Sequence, residues 1–304
     1  MLGRPKVSII ILNWNGLKDT VECLESLKKI TYPNYEVIVV DNDSQGNDAY
    51  ILEEKYKNYI KLIRNKENLG FAGGNNVGIQ EAIKADADYV LLLNNDTVVN
   101  PDFLDELVKT AEEDKKIAIV GSVIADYYTK KIVFTNAKID RKLKMESRID
   151  YLNLNKDWWE TEGVSGASMI ISVEHLLKHS LFLDEDLFLY CDEMDLCIRA
   201  KRGGLKVVIA SNSKVYHKEG RSHGGEIKLK PIPVYYVLRN RILLAKKLLN
   251  WKNRIIFWLL FMPSRLFRCL NWLLEGRLDL IKISLLAFWD GVKGNRGRFN
   301  INKK

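Results

Sequence analysis

The sequence predicts an α/β fold, a mostly parallel sheet flanked by helices, with a basic amphipathic helical region at its C-terminal end. Apolar, β-branched runs at residues 7–12, 35–40 and 60–64 alternate with stretches of helical spacing. That alternation marks βαβ units whose strands are buried on both faces. Residues 226–304 hold 17 Lys+Arg against 4 Asp+Glu, about +13, whereas residues 1–225 carry about −5. Two regions of different purpose are therefore expected, divided between residues 225 and 226. A chain of 304 residues with 47% apolar content can bury a full core, which excludes general disorder.

The elements follow in order. The first strand, 7–12, gives way to helical spacing at Thr20, Val21, Leu24 and Leu27; the second, 35–40, ends at Asp41, and a helix is expected from about Asp48. A third strand covers 60–64. The glycine-rich NLGFAGGNNVG, residues 68–78, is neither a GxGxxG fingerprint nor a GxxxxGK[ST] phosphate loop. Its glycines would let backbone approach a ligand, or would simply turn the chain into the helix through Ile79 and Ile83. The strand at 89–93 runs straight into Asn94, Asn95 and Asp96, and Asn100 as N-cap with Pro101 at the first helical position predicts the next helix. Residues 117–160 mix short apolar runs with polar stretches and read as strands. A strand at 168–172, a helix from Asp192 to Ala200 ended by Gly203-Gly204, and two strands at 205–210 and 213–217 complete the body. The N-terminal apolar run lacks a small-residue cleavage site and reads as a first strand, so the body is expected to face the cytoplasm. Cys23, Cys191, Cys197 and Cys269 show no metal spacing and are expected to be reduced, small apolar residues.

In an open parallel sheet, ligands bind at the carboxyl ends of the strands. Three polar clusters fall there: Asn13-Trp14-Asn15, Asp41-Asn42-Asp43-Ser44 and Asn94-Asn95-Asp96. Asp41 could cap the helix after it, but Asn47 and Asp48 lie closer to its start; Asp96 could do likewise, but Asn100 is placed for that duty. Freed of capping, both carboxylates are candidate ligand contacts, and Asp96 would be a hard-oxygen ligand for Mg²⁺ or Mn²⁺. In FLDEDLFLYCDEMDLCIRA, Asp192 and Asp195 read as an N-cap and first-turn pair. Glu193 beside them has no such duty and is the candidate general base. At an ordinary glutamate pKa of about 4.3 it would be ionised at pH 7.

The ordered series VSIIILNWNG, VIVVDNDS, NLGFAGGNNVGI, YVLLLNNDT, GVSGASMII, FLYCDEMDLCIRA and VYHKEG resembles the family 2 glycosyltransferases of the GT-A fold, in particular their rhamnosyltransferase-like branch. The resemblance covers about residues 6–222. It implies a Rossmann-like nucleotide-diphospho-sugar transferase fold, and transfer of a sugar from a nucleotide donor, a UDP- or dTDP-sugar, to an acceptor hydroxyl with inversion. It implies that Asn13 and Asn15 line the nucleotide pocket, that Asp41 contacts the base, and that Asn68, Gly70, Gly74 and Asn75 form a loop closing over the nucleotide. Asn94 and Asp96 match the family's DxD metal motif, written here NxD, so that Asp96 would carry the metal and Asn94 would lie nearer the ribose. Glu193 falls on the base position, in the order Asp192-Glu193 where Glu-Asp is common, and His217 falls where some relatives place another metal ligand.

The chemistry suits those residue types. A bound divalent cation can neutralise the leaving diphosphate, and a carboxylate must take the proton of an acceptor alcohol that is a poor nucleophile at neutral pH. Other readings are tested by the same residues. A processive polysaccharide synthase should carry spanning helices and a QxxRW motif, and a nucleotidyltransferase should carry a glycine-rich loop with Arg and Lys where this chain has NWNG. A nucleotide-sugar-binding scaffold on a membrane surface, without transferase activity, would be favoured by loss of Asp96 and Glu193, and both are present.

The basic region holds Trp251, Trp258, Trp272 and Trp289; its longest uncharged stretch, 255–264, is too short for a spanning helix of about 20 residues and contains Pro263. Apolar faces with Trp and flanking Lys/Arg fit helices lying in a membrane interface, at the inner face of the cell membrane, and compete with an appendage folded on the body or a dimer surface. A lipid-linked glycan acceptor, or a precursor of a cell-surface polysaccharide or glycoprotein glycan, would suit such a tail. No nucleic-acid partner is expected.

Overall fold

The computed structural model describes residues 3–150, 156–219 and 230–299. Strands β1 (Val7–Asn13), β2 (Tyr35–Asp41), β3 (Ile60–Arg64) and β4 (Tyr89–Asn94) alternate with helices α1 (Leu17–Leu27), α2 (Asp48–Tyr56) and α3 (Gly70–Lys84). All three strand pairings are parallel, in the order 3-2-1-4. Ile9, Ile10 and Ile11 of β1 are fully buried, as a strand covered by helices on both faces requires. Then come β5 (Thr97–Val99), α4 (Phe103–Glu112), β6 (Ile117–Asp126), the short strands β7 (Ile132–Phe134), β8 (Asn136–Ile139), β9 (Met145–Arg148) and β10 (Trp158–Glu160), β11 (Ser168–Ser172), α5 (Val173–His179), α6 (Asp192–Arg202) and β12 (Lys206–His217). β11 inserts antiparallel between β4 and β6, and β12 pairs in parallel with β6. The long sheet therefore runs β10-β12-β6-β11-β4-β1-β2-β3, with β5 on β12, β7 on β6 and a separate β8-β9 hairpin. This is a mostly parallel α/β sheet of the expected class.

Two local expectations give way, and one region is more regular than its pattern. Within residues 117–160, β6 is ten residues long and buried throughout. Its sequence disguises this with Gly121 and Ser122. Gly121 leaves room for Val164, whose Cβ would lie 2.8 Å from an added Cβ, and the Ser122 hydroxyl lies 2.8 Å from that of Ser168 and 2.9 Å from that of Ser213. A buried hydroxyl so partnered costs the strand little. The two strands expected at 205–210 and 213–217 are one, β12, whose pairing with β6 slips between Ala210 and Lys214. Asn100 is not the cap of α4: the helix begins at Phe103 behind Asp102, which makes no capping bond, and the Pro101 carbonyl is engaged by the Thr31 backbone N–H at 2.8 Å.

The basic region contains α7 (Pro231–Leu248), α8 (Trp251–Leu274) and α9 (Leu278–Lys293). A second apolar cluster joins Tyr235, Leu238, Ile242, Phe257 and Ala287 of these helices to Leu187, Cys191 and Met194 of the body. α8 continues through Pro263. Among the described residues no helix is long and apolar enough to cross a membrane. All four cysteines are free, and Cys23, Cys191 and Cys197 are buried.

Candidate active site

The parallel register brings the three polar clusters to one edge. Asn13 stands opposite Asp41 and Leu12 opposite Asn94, so β1, β2 and β4 end together, and β12 delivers His217 to the same edge beside Thr97 of β5.

At the first position, Asn13 is a fully buried hub. Its amide donates to Asp41 Oδ1 at 2.8 Å, Ser44 Oγ at 3.1 Å and Asp48 Oδ2 at 3.1 Å, and its Oδ1 accepts from Thr20 Oγ1 at 2.7 Å. With every polar atom committed, Asn13 shapes the pocket floor from behind and does not line it. Asp41 is nearly as buried and also accepts from the Ser44 hydroxyl at 2.7 Å. Asn15, in a left-handed conformation at φ 54°, takes the Gln45 N–H at 2.7 Å and so ties the two strand-end loops together.

Asn42, which the sequence reading passed over, is the second hub. Its amide donates to Asn68 Oδ1 and to the Gly70 carbonyl, both at 3.0 Å, and its Oδ1 accepts from the Asn65 amide and the Leu69 N–H. Most of the glycine-rich stretch is not a loop over a nucleotide: Gly70 to Gly78 form the first part of α3. A Cβ on Gly74 would sit 2.4 Å from Leu12 Cδ1, so this glycine lets the helix close on β1, and the Asn75 amide is spent on the Phe71 carbonyl one turn back at 2.9 Å. Asn68 and Gly70 line a cavity of about 350 Å³, with Leu12, Trp14, Phe188 and Tyr236.

At the third position, Asp96 Oδ1 and His217 Nε2 lie 3.1 Å apart, each side chain 15% exposed, and the Asn94 amide lies 3.4 Å from the same ring nitrogen. One carboxylate and one imidazole so placed could share a divalent cation. Among the described residues no group of three metal-ligating side chains forms. The set therefore fits an ion that takes few protein ligands and completes its shell with phosphate and water. The next residue, Lys218, is 4% exposed and donates to Asp19 at 2.6 Å and Glu22 at 2.7 Å. Burial works to lower its pKa, but these two bonds outweigh it and raise the ammonium above its usual value. The His217 end of β12 is thereby anchored to α1.

The acidic helix start differs from the expected cap. Cys191 is the N-cap, in a left-handed conformation, and neither Asp192 nor Asp195 makes a capping bond. Asp195 instead pairs with Arg199 at 2.7 Å and Lys247 at 2.9 Å. Asp192 is 1% exposed and Glu193 partly exposed. Burial first, and the adjacent Glu193 charge second, push the Asp192 carboxyl well above the ordinary aspartate range. Burial also raises Glu193, against the pull of its own backbone N–H and of the Asp192 hydrogen bond. Both carboxyls are therefore raised, Asp192 the more strongly, and a hydrogen bond couples the two.

The loop that leads to these carboxyls is held in an unusual shape. Phe188, Tyr190 and Cys191 all have positive φ, 63°, 65° and 67°. α7 holds it from below: Arg239, 1% exposed, donates to the Leu187 carbonyl at 2.9 Å, and the Asn240 amide lies 2.8–2.9 Å from the carbonyls of Leu187, Leu189 and Tyr190. A charged residue and an amide inside an apolar helix pattern were the signal for this pair. The Phe71 N–H reaches the Phe188 carbonyl at 2.7 Å from the other side.

Among known proteins, the family model for Glycosyl transferase family 2 matches residues 8–179. The glycosyltransferase GlyG of Streptococcus pneumoniae is 26% identical over 121 residues, 38% of this chain and 38% of that protein. The hyaluronan synthase of Streptococcus pyogenes is 32% identical over 133 residues, 40% of this chain and 31% of the synthase. The matches thus span less than two fifths of these relatives' lengths. In fold, the chain resembles S. aureus TarS 1-349 in complex with UDP-GlcNAc, with TM-score 0.63, 20% identity and coverage of 95% of this chain and 81% of that one. It also resembles GalNAc-T7 with UDP, GalNAc and Mn²⁺, with TM-score 0.69, 17% identity and coverage of 85% and 50%. With more than half of its residues inside the family model, the chain belongs to glycosyl transferase family 2.

Proposed function

We propose that the protein is an inverting glycosyltransferase that moves a sugar from a UDP- or dTDP-sugar to an acceptor hydroxyl by a single displacement, with Glu193 as base. The observation that carries this reading is the meeting, on one sheet edge, of the Asp96–His217 pair with the strand-end loops tied by Asn13 and Asn42. The UDP in both structural neighbours described above, and the Mn²⁺ in one of them, support a nucleotide diphosphate with a divalent cation as the donor complex.

Trp14 and the Asn68–Gly70 backbone border the cavity in which the donor would lie. Asp96 and His217 would hold Mg²⁺ or Mn²⁺, which when bound would offset the charge of the leaving diphosphate. Asn94, on the same edge, would contact the sugar or ribose. Glu193 accepts the acceptor's hydroxyl proton as the new glycosidic bond forms, and Asp192, hydrogen-bonded to it, keeps Glu193 oriented.

The basic region past residue 225 would lie on an anionic membrane surface, at the inner face of the cell membrane, and present a lipid-linked glycan to the site. Its exposed Trp251, Leu259, Phe267 and Leu274 support this, each more than 60% accessible. The rhamnosyl preference rests on the motif series.

The decisive experiment is a screen of UDP-, dTDP- and GDP-sugars for Mn²⁺- or Mg²⁺-dependent nucleotide release. Wild type is expected to turn over one donor, Asp96→Ala to lose at least about 10²-fold, the worth of roughly 2.7 kcal/mol of charge stabilisation, and Glu193→Gln to lose about 10²–10⁴-fold as a missing base should. Full turnover by Glu193→Gln would remove it as base. Turnover indifferent to chelator would remove Asp96 from its role.

A further inference from the structure

Away from the sheet edge, α7, α8 and the turn before β9 enclose a second cavity of about 610 Å³. Five basic residues line it, Lys142, Lys144, Arg241, Arg265 and Arg268, and no acid does. The lysines have partners outside it, Asp140 at 3.4 Å and Glu146 at 3.1 Å. The arginines differ. Arg241 is 3% exposed and spends its Nε and Nη2 on the Lys142 carbonyl at 2.9 and 2.6 Å. The buried Nε of Arg265 meets no acceptor among the described residues, and Arg268 lies over the Trp272 ring at 5.9 Å. Burial, with the charge of Arg265 added, presses the Arg241 guanidinium down to about 10.

Guanidinium groups gathered without a carboxylate repel one another and are costly to bury unpaired; their planar fork matches phosphate oxygens. The same helix that supplies Arg265 and Arg268 turns Leu266, Phe267, Leu270, Leu273 and Leu274 to solvent, at 56–87% exposure. Phe267 also stands in the cavity wall. A soluble anion would have no use for that apolar row, whereas a lipid satisfies both features, phosphate inward and chains along the helix.

We propose that this cavity seats the phosphate headgroup of an anionic membrane lipid, with the Leu266, Phe267, Leu270 and Leu274 face of α8 resting in the acyl boundary. This rests on the reading that α8 lies on a membrane, and it adds a specific headgroup site distinct from the transfer site.

The test uses the full chain and floated vesicles of phosphatidylcholine, alone or doped with phosphatidic acid. Wild type should bind the doped vesicles preferentially. Arg265→Gln with Arg268→Gln should weaken that binding about 30-fold, at about fivefold per basic residue near the lipid surface, while thermal melting shows the variant folded. Phe267→Glu with Leu270→Glu should abolish binding to both vesicle types. If the arginine variant keeps wild-type preference while the apolar variant loses binding, the headgroup site falls and the membrane reading stands. If the apolar variant binds as wild type does, both fall. Displacement of the chain from doped vesicles by millimolar inorganic phosphate at constant ionic strength would make a free anion the occupant and overturn the proposal. So would light scattering that shows a dimer split by the apolar substitutions, with no vesicle binding.

Discussion

Asp192 and Glu193 are hydrogen-bonded and both raised, and their coupling would set the pH at which the proposed base is ready. Because burial raises Glu193, the acid limb of the kcat/KM profile should lie above the ordinary glutamate value of about 4.3. Asp192→Ala removes the hydrogen bond that works to lower Glu193, so the limb should move to higher pH; Asp192→Asn keeps an N–H donor there and should move it less. A profile unchanged by Asp192→Ala would uncouple the pair. The same residue has a stability signature. An acid whose folded pKa is raised favours the fold below its unfolded pKa, and that contribution is lost as pH rises through the folded pKa. Asp192→Asn, neutral at every pH, should therefore gain thermal stability over wild type as pH is raised from 4 to 8, and a constant difference in Tm would refute the buried-proton reading. Glu193 was legible in the sequence as a carboxylate at a helix start, but the shift of its pKa was not, because that shift depends on what the fold packs over it. Asp96 was legible at a strand's carboxyl end even though the cap assigned to Asn100 was misplaced: Thr97–Val99 pairing with β12 occupies the chain there.

Two elements, α3 and α7, grip the segment that precedes Glu193. A Cβ on Gly70 would lie 2.2 Å from the Phe188 carbonyl oxygen, and Gly70 itself sits at φ +74°, a conformation costing an L-residue roughly 1–2 kcal/mol. Gly70→Ala should lower kcat by pushing Phe188 and the following turn away from α3, and Gly74→Ala should do less, since its obstacle is the movable end of Leu12. Equal effects of the two would argue against contact with the loop as the cause. From α7, Asn240→Ala removes the amide from the Leu189 and Tyr190 carbonyls, while the Leu187 carbonyl keeps Arg239; a kcat drop larger than any change in donor KM would mark Asn240 as a positioning residue for Glu193. The strand and helix order of the first ninety or so residues was readable because continuous apolar, β-branched runs and period-3.6 patterns are both local. Between the two readings of the glycine-rich stretch, ligand loop or helix start, the sequence could not choose, for the opposite reason. Gly74 and Gly78 are small because β1 lies 2.4–2.5 Å from where their Cβ atoms would be, a relation between segments that no local window contains.

At the scale of the whole molecule, charge separates residues 226–304 from the rest while packing joins them. The second apolar cluster draws Leu187, Cys191 and Met194 together with Tyr235, Ile242 and Phe257, Lys247 pairs with Asp195 at 2.9 Å, and Arg239 and Asn240 hold carbonyls of residues 187–190. Charge pattern alone could not reveal this, because composition reports what a region carries and not what it touches. Cutting the chain after residue 225 would uncover those apolar side chains and free a segment with three positive-φ residues, Phe188, Tyr190 and Cys191. The truncated protein should therefore lose nucleotide-sugar turnover as well as vesicle binding, with a lowered Tm or loss of cooperative unfolding. Truncation consequently cannot separate a membrane role from a catalytic one, whereas charge placed on the outer face of α8, at Phe267 and Leu270, can: turnover on a soluble acceptor should persist there while vesicle binding disappears. If the truncated chain instead keeps full turnover and melts as wild type does, the grip of α7 on the base-bearing segment is dispensable, and the three helices are an appendage in function as well as in charge.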